Sequence, residues 1–394
     1  MNKQKKPLSL YVHIPFCVRK CLYCDFLSGP AEEGEKEEYV NLLSQEIASW
    51  GRQLEGEYRL ETIFLGGGTP SCLTSKQLEK LGNIIQNAFS TGENLEFTTE
   101  ANPGTVSAEH IRSWKDMGIN RISLGLQSAQ EEELRRLGRI HTYLQFLETY
   151  ESLRDAGFDN INIDLMADIP GQTMESYRDT LEKVIALIPQ HISAYSLIVE
   201  PGTPFYEMEQ KGILEREGED IDRKMYDFTR EYLQEHGYHR YEISNYALAG
   251  RECRHNCVYW QGGEYLGVGL GASSYLHQHR FSNQTRIGEY KKYVQKLEQS
   301  ERWTEWEFAE LSPVNRQMQM EEFMFLGLRM QQGISKKEFK RRFGVDIDIV
   351  YGDVFKRLFQ DNLLAGDGFH DRIYLTNRGI DLSNMVLAEF LLEE

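Results

Sequence analysis

The sequence predicts an α/β protein: a partial (β/α)6 barrel followed by a smaller, mainly helical domain of winged-helix character. Three observations predict it. Apolar runs of strand length alternate six times with segments of helical period, and consecutive parallel strands need such crossovers. Polar residues gather just after those runs, at the strands' carboxyl ends, where ligands bind in parallel α/β architectures. After about Ile213 the alternation stops, and from Met318 helices follow one another with short loops.

The first strand is the apolar run leading into Tyr11-Val12-His13-Ile14-Pro15-Phe16. An acidic stretch from Glu32 to Glu38 precedes a helix from about Tyr39 to Trp50. The second strand, Leu60 to Leu65, runs into Gly66-Gly67-Gly68-Thr69-Pro70-Ser71. Thr74 and Gln77 then stand at capping-box spacing, and Leu78, Leu81, Ile84, Ile85 and Ala88 recur at helical period. Leu95 to Ala101 is the third strand, broken by Asn102-Pro103-Gly104, with a helix from about Ser107 to Met117. Arg121 to Leu126, Asn160 to Leu165 and His191 to Val199 complete the six, with helices ending near Leu134, Leu153 and Ile188 between them. Six units fall short of eight, so the barrel-like sheet is expected to be incomplete.

Beyond it, Ile221 to Tyr232 reads as a helix, Tyr241 to Tyr246 as a strand and Leu266 to Tyr275 as a glycine-punctuated strand pair. Arg286 to Glu310 reads as a connecting segment. Helices are expected from Glu321 to Met330, after Ser335 with Glu338 in capping-box spacing, from Val354 to Leu364 and from Gly379 to Leu392, with a wing strand at Arg372 to Leu375. The expected domains are therefore 1–212, 213–312 and 313–394.

Composition narrows the function. Of 394 residues, 40% are hydrophobic and 27% charged, enough apolar material for a sizeable core. A net charge of −17 argues against generic nucleic-acid or anionic-membrane binding, because phosphate repels such a surface. Lys336-Lys337 and Lys340-Arg341-Arg342 then read as a solvated or protein-docking face. No run is long enough for a membrane span. The basic start, Met1 to Pro7, precedes an apolar segment interrupted by His13 and Pro15, a poor signal-peptide core. Six cysteines in so long a chain suggest ligation in a reducing compartment, with the cytoplasm as the expected location.

Cys17, Cys21 and Cys24 form a C-x3-C-x2-C pattern just after the first strand. Thiolate suits both iron–sulfur clusters and zinc, and spacing alone leaves both open. Three cysteines on a [4Fe–4S] cube would leave one iron free to bind a further ligand. The glycines after the second strand allow close backbone approach to a ligand; a tight turn is the plainer alternative. No Gly-Lys-Ser/Thr follows, so this is not a phosphate loop.

The cysteine pattern with Tyr23 before Cys24, and the strand ending Gly-Gly-Gly-Thr-Pro, resembles the radical S-adenosylmethionine (SAM) superfamily. Tyr11-Val12-His13-Ile14-Pro15-Phe16-Cys17 and Thr99-Glu100-Ala101-Asn102-Pro103-Gly104 are similar to the oxygen-independent coproporphyrinogen III oxidase-like family, over nearly the whole chain. The resemblance implies a partial TIM-like barrel of radical SAM type, with Cys17, Cys21 and Cys24 holding a [4Fe–4S] cluster whose free iron is chelated by SAM. It implies that Tyr23 packs on the adenine, that Gly67, Gly68 and Thr69 contact the methionine end, and that Tyr11, Glu100, Gln127, Arg139 and Asp164 supply further SAM contacts. For Glu100 and Asp164 a polar network at the barrel mouth is the alternative.

Two features separate branches of that family. Where the oxidases carry a fourth cysteine this chain has Phe26, and its first strand begins almost at once. Arg254-His255-Asn256-Cys257-Val258-Tyr259-Trp260 contains His-Asn-x-x-Tyr-Trp, which resembles the signature of the heme chaperone branch. Histidine and cysteine are both heme-iron ligands and aromatic rings suit a porphyrin face. That resemblance implies heme as a third bound group, with His255 as its ligand, and an acceptor apo-hemoprotein such as a respiratory cytochrome as partner; by composition alone, a packed Tyr–Trp loop whose histidine caps a backbone group is the reading to prefer. Membrane contact would then be peripheral, through the acceptor, and a homodimer is compatible with exposed ligands. Radical decarboxylation of coproporphyrinogen III is the alternative function. Gly267-x-Gly269-x-Gly271 lacks dinucleotide spacing and reads as a tight turn, and Cys72 as a small core residue.

Overall fold

The computed structural model describes residues 5–214, 216–297, 300–366 and 371–392. Met1 to Gln4 of the basic start therefore lie outside the description. Six parallel strands occupy the middle of one large sheet: β1 (Lys6–Ile14), β2 (Tyr58–Gly67), β3 (Thr91–Ala101), β4 (Arg121–Gln127), β5 (Ile161–Ala167) and β6 (His191–Ser196). Beyond β6 a short hairpin, β7 (His239–Arg240) and β8 (Asn245–Ala247), adds antiparallel strands. At the other flank β9 (Tyr265–Val268) lies parallel to β1, and β10 (Ser273–Leu276), β11 (His279–Ser282) and β12 (Glu310–Pro313) continue antiparallel. The order β12-β11-β10-β9-β1-β2-β3-β4-β5-β6-β8-β7 is an open sheet, not a closed barrel. A second sheet, β13 (Ile334–Ser335), β15 (Arg372–Leu375) and β14 (Leu364–Gly366), belongs to the C-terminal part.

The crossovers are α1 (Glu33–Gln53), α2 (Ser75–Ala88), α3 (Ala108–Met117), α4 (Glu131–Arg136) with α5 (Tyr143–Asp155), and α6 (Met174–Ala186). Thr74, Ser107, Thr142 and Thr173 each cap a following helix by accepting a backbone N–H, which fixes where β-strand exits become helices. There follow α7 (Pro204–Gln210), α8 (Glu219–Glu235), α9 (Arg254–Trp260), α10 (Ile287–Lys296), α11 (Arg316–Gly327), α12 (Lys336–Phe343), α13 (Ile347–Gln360), α14 (Asn377–Asp381) and α15 (Ser383–Ala388). Buried side chains from Leu8 to Trp306 form one core around the large sheet, and those from Met324 to Phe390 form another around the small one.

Several expectations need correction. The acidic stretch after Glu32 is the first turns of α1, where carboxylates favour the helix N-terminus. Tyr241 to Tyr246 is no continuous strand: it is the turn between β7 and the start of β8. The segment from Arg286 contains α10, and its Trp303 and Trp306 pack on the fully buried Trp50 of α1. Charge disguised it, since a solvated face and a tryptophan anchor share one stretch. The last helix breaks at Leu382 into α14 and α15.

Candidate functional site

The loop after β1 is held at both ends. Cys17 N–H donates to Gly29 O at 2.9 Å and Leu22 N–H to Leu137 O at 3.0 Å. The three thiols Cys17, Cys21 and Cys24 are free and partly exposed. Cys17 Sγ lies 3.5 Å from Thr69 Oγ1, and Arg139 donates to Cys21 Sγ at 3.6 Å, so a guanidinium stands beside that sulfur. Burial pushes the Cys24 thiol up.

The glycine run packs against this loop from below. Gly68 N–H donates to Ile14 O at 2.8 Å and Thr69 N–H to Phe16 O at 2.7 Å. A Cβ on Gly68 would sit 2.7 Å from both carbonyl oxygens, so only glycine lets the two loops touch. Asn102 Nδ2 donates to Thr69 Oγ1 at 2.7 Å, while Arg139 donates to Asn102 Oδ1 and to Gly125 O, each at 2.7 Å. Asn102, read from sequence only as part of a strand-breaking turn, is thus the link between the glycine loop and Arg139. Its place two residues after Glu100 was the available signal.

Glu100 is pushed up to about 8, first by burial and then by Asp164, against the pull of the Gly67 N–H and Arg121. Burial also raises Asp164, whose oxygens accept from Asn162 Nδ2 at 2.7 Å and Ser123 Oγ at 3.2 Å. The three cysteines, Tyr23, Gly67 to Thr69, Glu100, Gln127, Arg139 and Asp164 line one cavity of about 140 Å³. Tyr11 does not: its hydroxyl meets His13 Nδ1 at 3.1 Å and its ring lines the neighbouring cavity.

These residues fit a SAM-bound [4Fe–4S] cluster. Among the described residues no three His, Cys, Asp or Glu side chains converge on one ion. A cubane places each thiolate on a different iron and needs no such convergence. Arg139 Nε is buried without a partner, and Glu100 and Asp164 line the same cavity, where an amino-acid and ribose ligand carries acceptors and donors to match. When bound, a cluster anchored by three thiolates offers an iron with an open coordination position.

The second cavity, about 580 Å³, lies beside the first and shares Phe26 with it. Its walls are Tyr11, His13, Tyr259, Trp260, Tyr265, Tyr275, Arg280 and, from α11, Glu322 and Leu326. The volume is that of a small-molecule site, ~300–1,000 Å³. A third cavity of about 680 Å³ is lined by Arg240, Arg254, Cys257 and Met330 and shares no residue with the cluster cavity.

His255 does not face open space. Glu96 accepts the N–H of Arg254 at 3.0 Å and of His255 at 2.9 Å, fixing the start of α9. The imidazole is 1% exposed; Nδ1 meets Thr62 Oγ1 at 2.8 Å and Nε2 meets the Tyr259 hydroxyl at 2.8 Å. Burial and Arg121 push it down to about 3, so it is neutral. His255, which the resemblance implies as the heme ligand, has both ring nitrogens engaged within the fold. Burial likewise pushes Cys253 up to about 11 and Cys257 up to about 12. Cys72 is half-buried rather than core, in a small recess it shares with Cys21, Thr69 and Arg139.

Residues 11–184 match the Radical SAM superfamily model and residues 314–382 the HemN C-terminal domain. The chain is 38% identical to "Heme chaperone HemW" of Lactococcus lactis, over 99% of each chain. It is also 38% identical to the Bacillus subtilis protein of that name, over 97% of this chain and 99% of the other. The solved coproporphyrinogen III oxidase (HemN) of Escherichia coli superposes with a TM-score of 0.84 at 22% identity, covering 99% of this chain and 91% of that one, and so shares the fold. The cysteine and glycine loops, the fold and the full-length identity agree: the chain belongs to the radical SAM superfamily and, within it, to the HemW family.

Proposed function

We propose that this protein is a heme chaperone that carries a SAM-liganded [4Fe–4S] cluster beside its heme site and delivers heme to an apo-hemoprotein, such as a respiratory cytochrome. The observation that carries the reading is the aromatic cavity joined to the cluster cavity at Phe26. Phe26 stands where the oxidases of the wider family are expected to carry a fourth cysteine, and it is 62% exposed at the lip of both cavities. The relatives named as heme chaperones support the same conclusion.

In this reading Cys17, Cys21 and Cys24 anchor the cluster. Gly67 to Thr69 offer backbone groups to the methionine end of SAM, Glu100 and Asp164 accept from its hydroxyl or amino groups, and Tyr23 covers the adenine. Arg139 holds the Cys21 side of the loop and Gln127 the far wall. Residues 5–212 form the cluster-bearing unit, β9 and β10 with Arg280 of β11 complete the heme cavity's sheet wall, and α11 adds Glu322 and Leu326 to it.

Anaerobic reconstitution followed by hemin titration tests the function. The expected result is a stoichiometric Soret band and transfer of that heme to an apo-cytochrome. Failure to bind hemin, or turnover of coproporphyrinogen III to protoporphyrinogen IX by the reconstituted protein, would overturn it.

A further inference from the structure

Two residues of α9, Tyr259 and Trp260, face the aromatic cavity, and His255 is hidden behind Tyr259. The hydrogen-bond chain fixes where the protons lie. Thr62 Oγ1 donates its one hydrogen to Ser9 Oγ at 2.7 Å, so towards His255 Nδ1 it can only accept. Nδ1 therefore carries the imidazole proton, and Nε2 accepts the Tyr259 O–H at 2.8 Å. A phenol in the cavity wall thus has a neutral imidazole lone pair aimed at its proton.

The wall beside Tyr259 suits a flat ring with an acidic edge. Tyr275 pairs with Tyr265 on one side and Arg280 on the other, so the three residues form a row on one face of β9, β10 and β11. The Tyr259 ring stands at 86° to Tyr265, 4.7 Å between centroids. Arg280, the one Lys or Arg among the described residues lining this cavity, donates to Glu322 Oε1 at 2.7 Å. A porphyrin could lie along the tyrosine row and present a propionate to Arg280.

Resting on the heme-chaperone reading, we infer that Tyr259 is the ligand of ferric heme in this cavity and that His255 is its positioning residue. In the ligation step an Fe–O bond forms as the phenolic O–H breaks, and the proton leaves through the cavity to water, since burial and Arg121 keep His255 neutral. The iron stays ferric throughout, so no oxidant or reductant is needed. Tyrosinate is an established class of heme ligand. The other nitrogen and sulfur candidates are spoken for: His13 bonds Tyr11 through Nδ1 and Leu27 O through Nε2 at 2.9 Å, and Cys257 lines the separate third cavity.

The test uses the full-length, cluster-reconstituted chain with hemin, read by electron paramagnetic resonance and by resonance Raman of phenolate modes. Wild type is expected to give a high-spin ferric signal with tyrosinate modes. Tyr259→Phe should abolish those modes and weaken hemin by at least about tenfold, one bond's share of the affinity. Its affinity for iron-free protoporphyrin IX, followed by fluorescence, should stay at the wild-type value. His255→Gln, which keeps an acceptor, should retain the tyrosinate modes at shifted frequency; circular dichroism and cluster absorbance confirm folding. Wild-type spectra from Tyr259→Phe, modes lost with Tyr11→Phe instead, or a histidine-ligated wild-type spectrum would each overturn the assignment while leaving the chaperone intact. No hemin binding by wild type would remove both.

Discussion

Glu100 Oε2 accepts the backbone N–H of Gly67 at 3.0 Å, so the end of β3 holds the glycine loop at the end of β2. One carboxylate thereby serves both the loop's shape and the cavity's charge. Its partners in that charge are Asp164, which repels it, and Arg121, which attracts it.

The first prediction concerns pH. With Glu100 raised to about 8, the folded ligand-free chain holds a proton that the unfolded chain gives up in the ordinary carboxylate range. The folded state therefore binds more protons between those values, and this contribution to stability is present at low pH and lost as pH rises through about 8. Glu100→Gln should flatten the fall in urea-unfolding free energy between pH 5 and pH 8, roughly the window of that shift. An unchanged slope would show that Glu100 is not the proton's seat.

Gly67 has φ +104°, and a Cβ there would collide with the His13 ring and lie 3.0 Å from the Tyr11 hydroxyl. Gly67→Ala should cost about 1–3 kcal/mol of stability and weaken SAM binding in equilibrium dialysis. Wild-type SAM affinity in this variant would mean the loop is not the methionine cradle.

Cluster loading separates the cysteines. Serine at Cys17, Cys21 or Cys24 should abolish the iron–sulfur absorbance after reconstitution, whereas Cys72→Ala and Cys253→Ala should keep it. Phe26→Cys should leave iron and sulfide content per chain unchanged, because the cluster's protein ligands are already complete.

Trp50 is fully buried against Phe281, Trp303 and Trp306, its ring 4.7 Å from Trp306. Trp50→Ala should cost about 3–5 kcal/mol in chemical denaturation. A loss below about 1 kcal/mol would show that the cavity collapses around the missing ring.

Much of this was legible in the chain because local chemistry and global fold agree. The six strand–helix units announce themselves by apolar period and by caps such as Thr74 with Gln77, whose reciprocal hydrogen bonds the structure contains. The cysteines and Gly67 to Thr69 were visible because each sits directly after a strand. What stayed hidden depends on distant partners. β7 and β8 are too short to carry a period, and β9 joins β1 across most of the chain. The surroundings of Tyr11 and His255 were equally hidden, since their hydrogen bonds run to His13 and to the distant Thr62.

The position of β1 between β2 and β9 has a consequence for biosynthesis. Ser9 emerges from the ribosome early, yet its neighbour Tyr265 follows only after most of the chain. Until β9 docks, β1 is a bare sheet edge and the thiols beside it hang on a half-built scaffold. The scaffold around those thiols is therefore complete only once the second flank has been made and has docked.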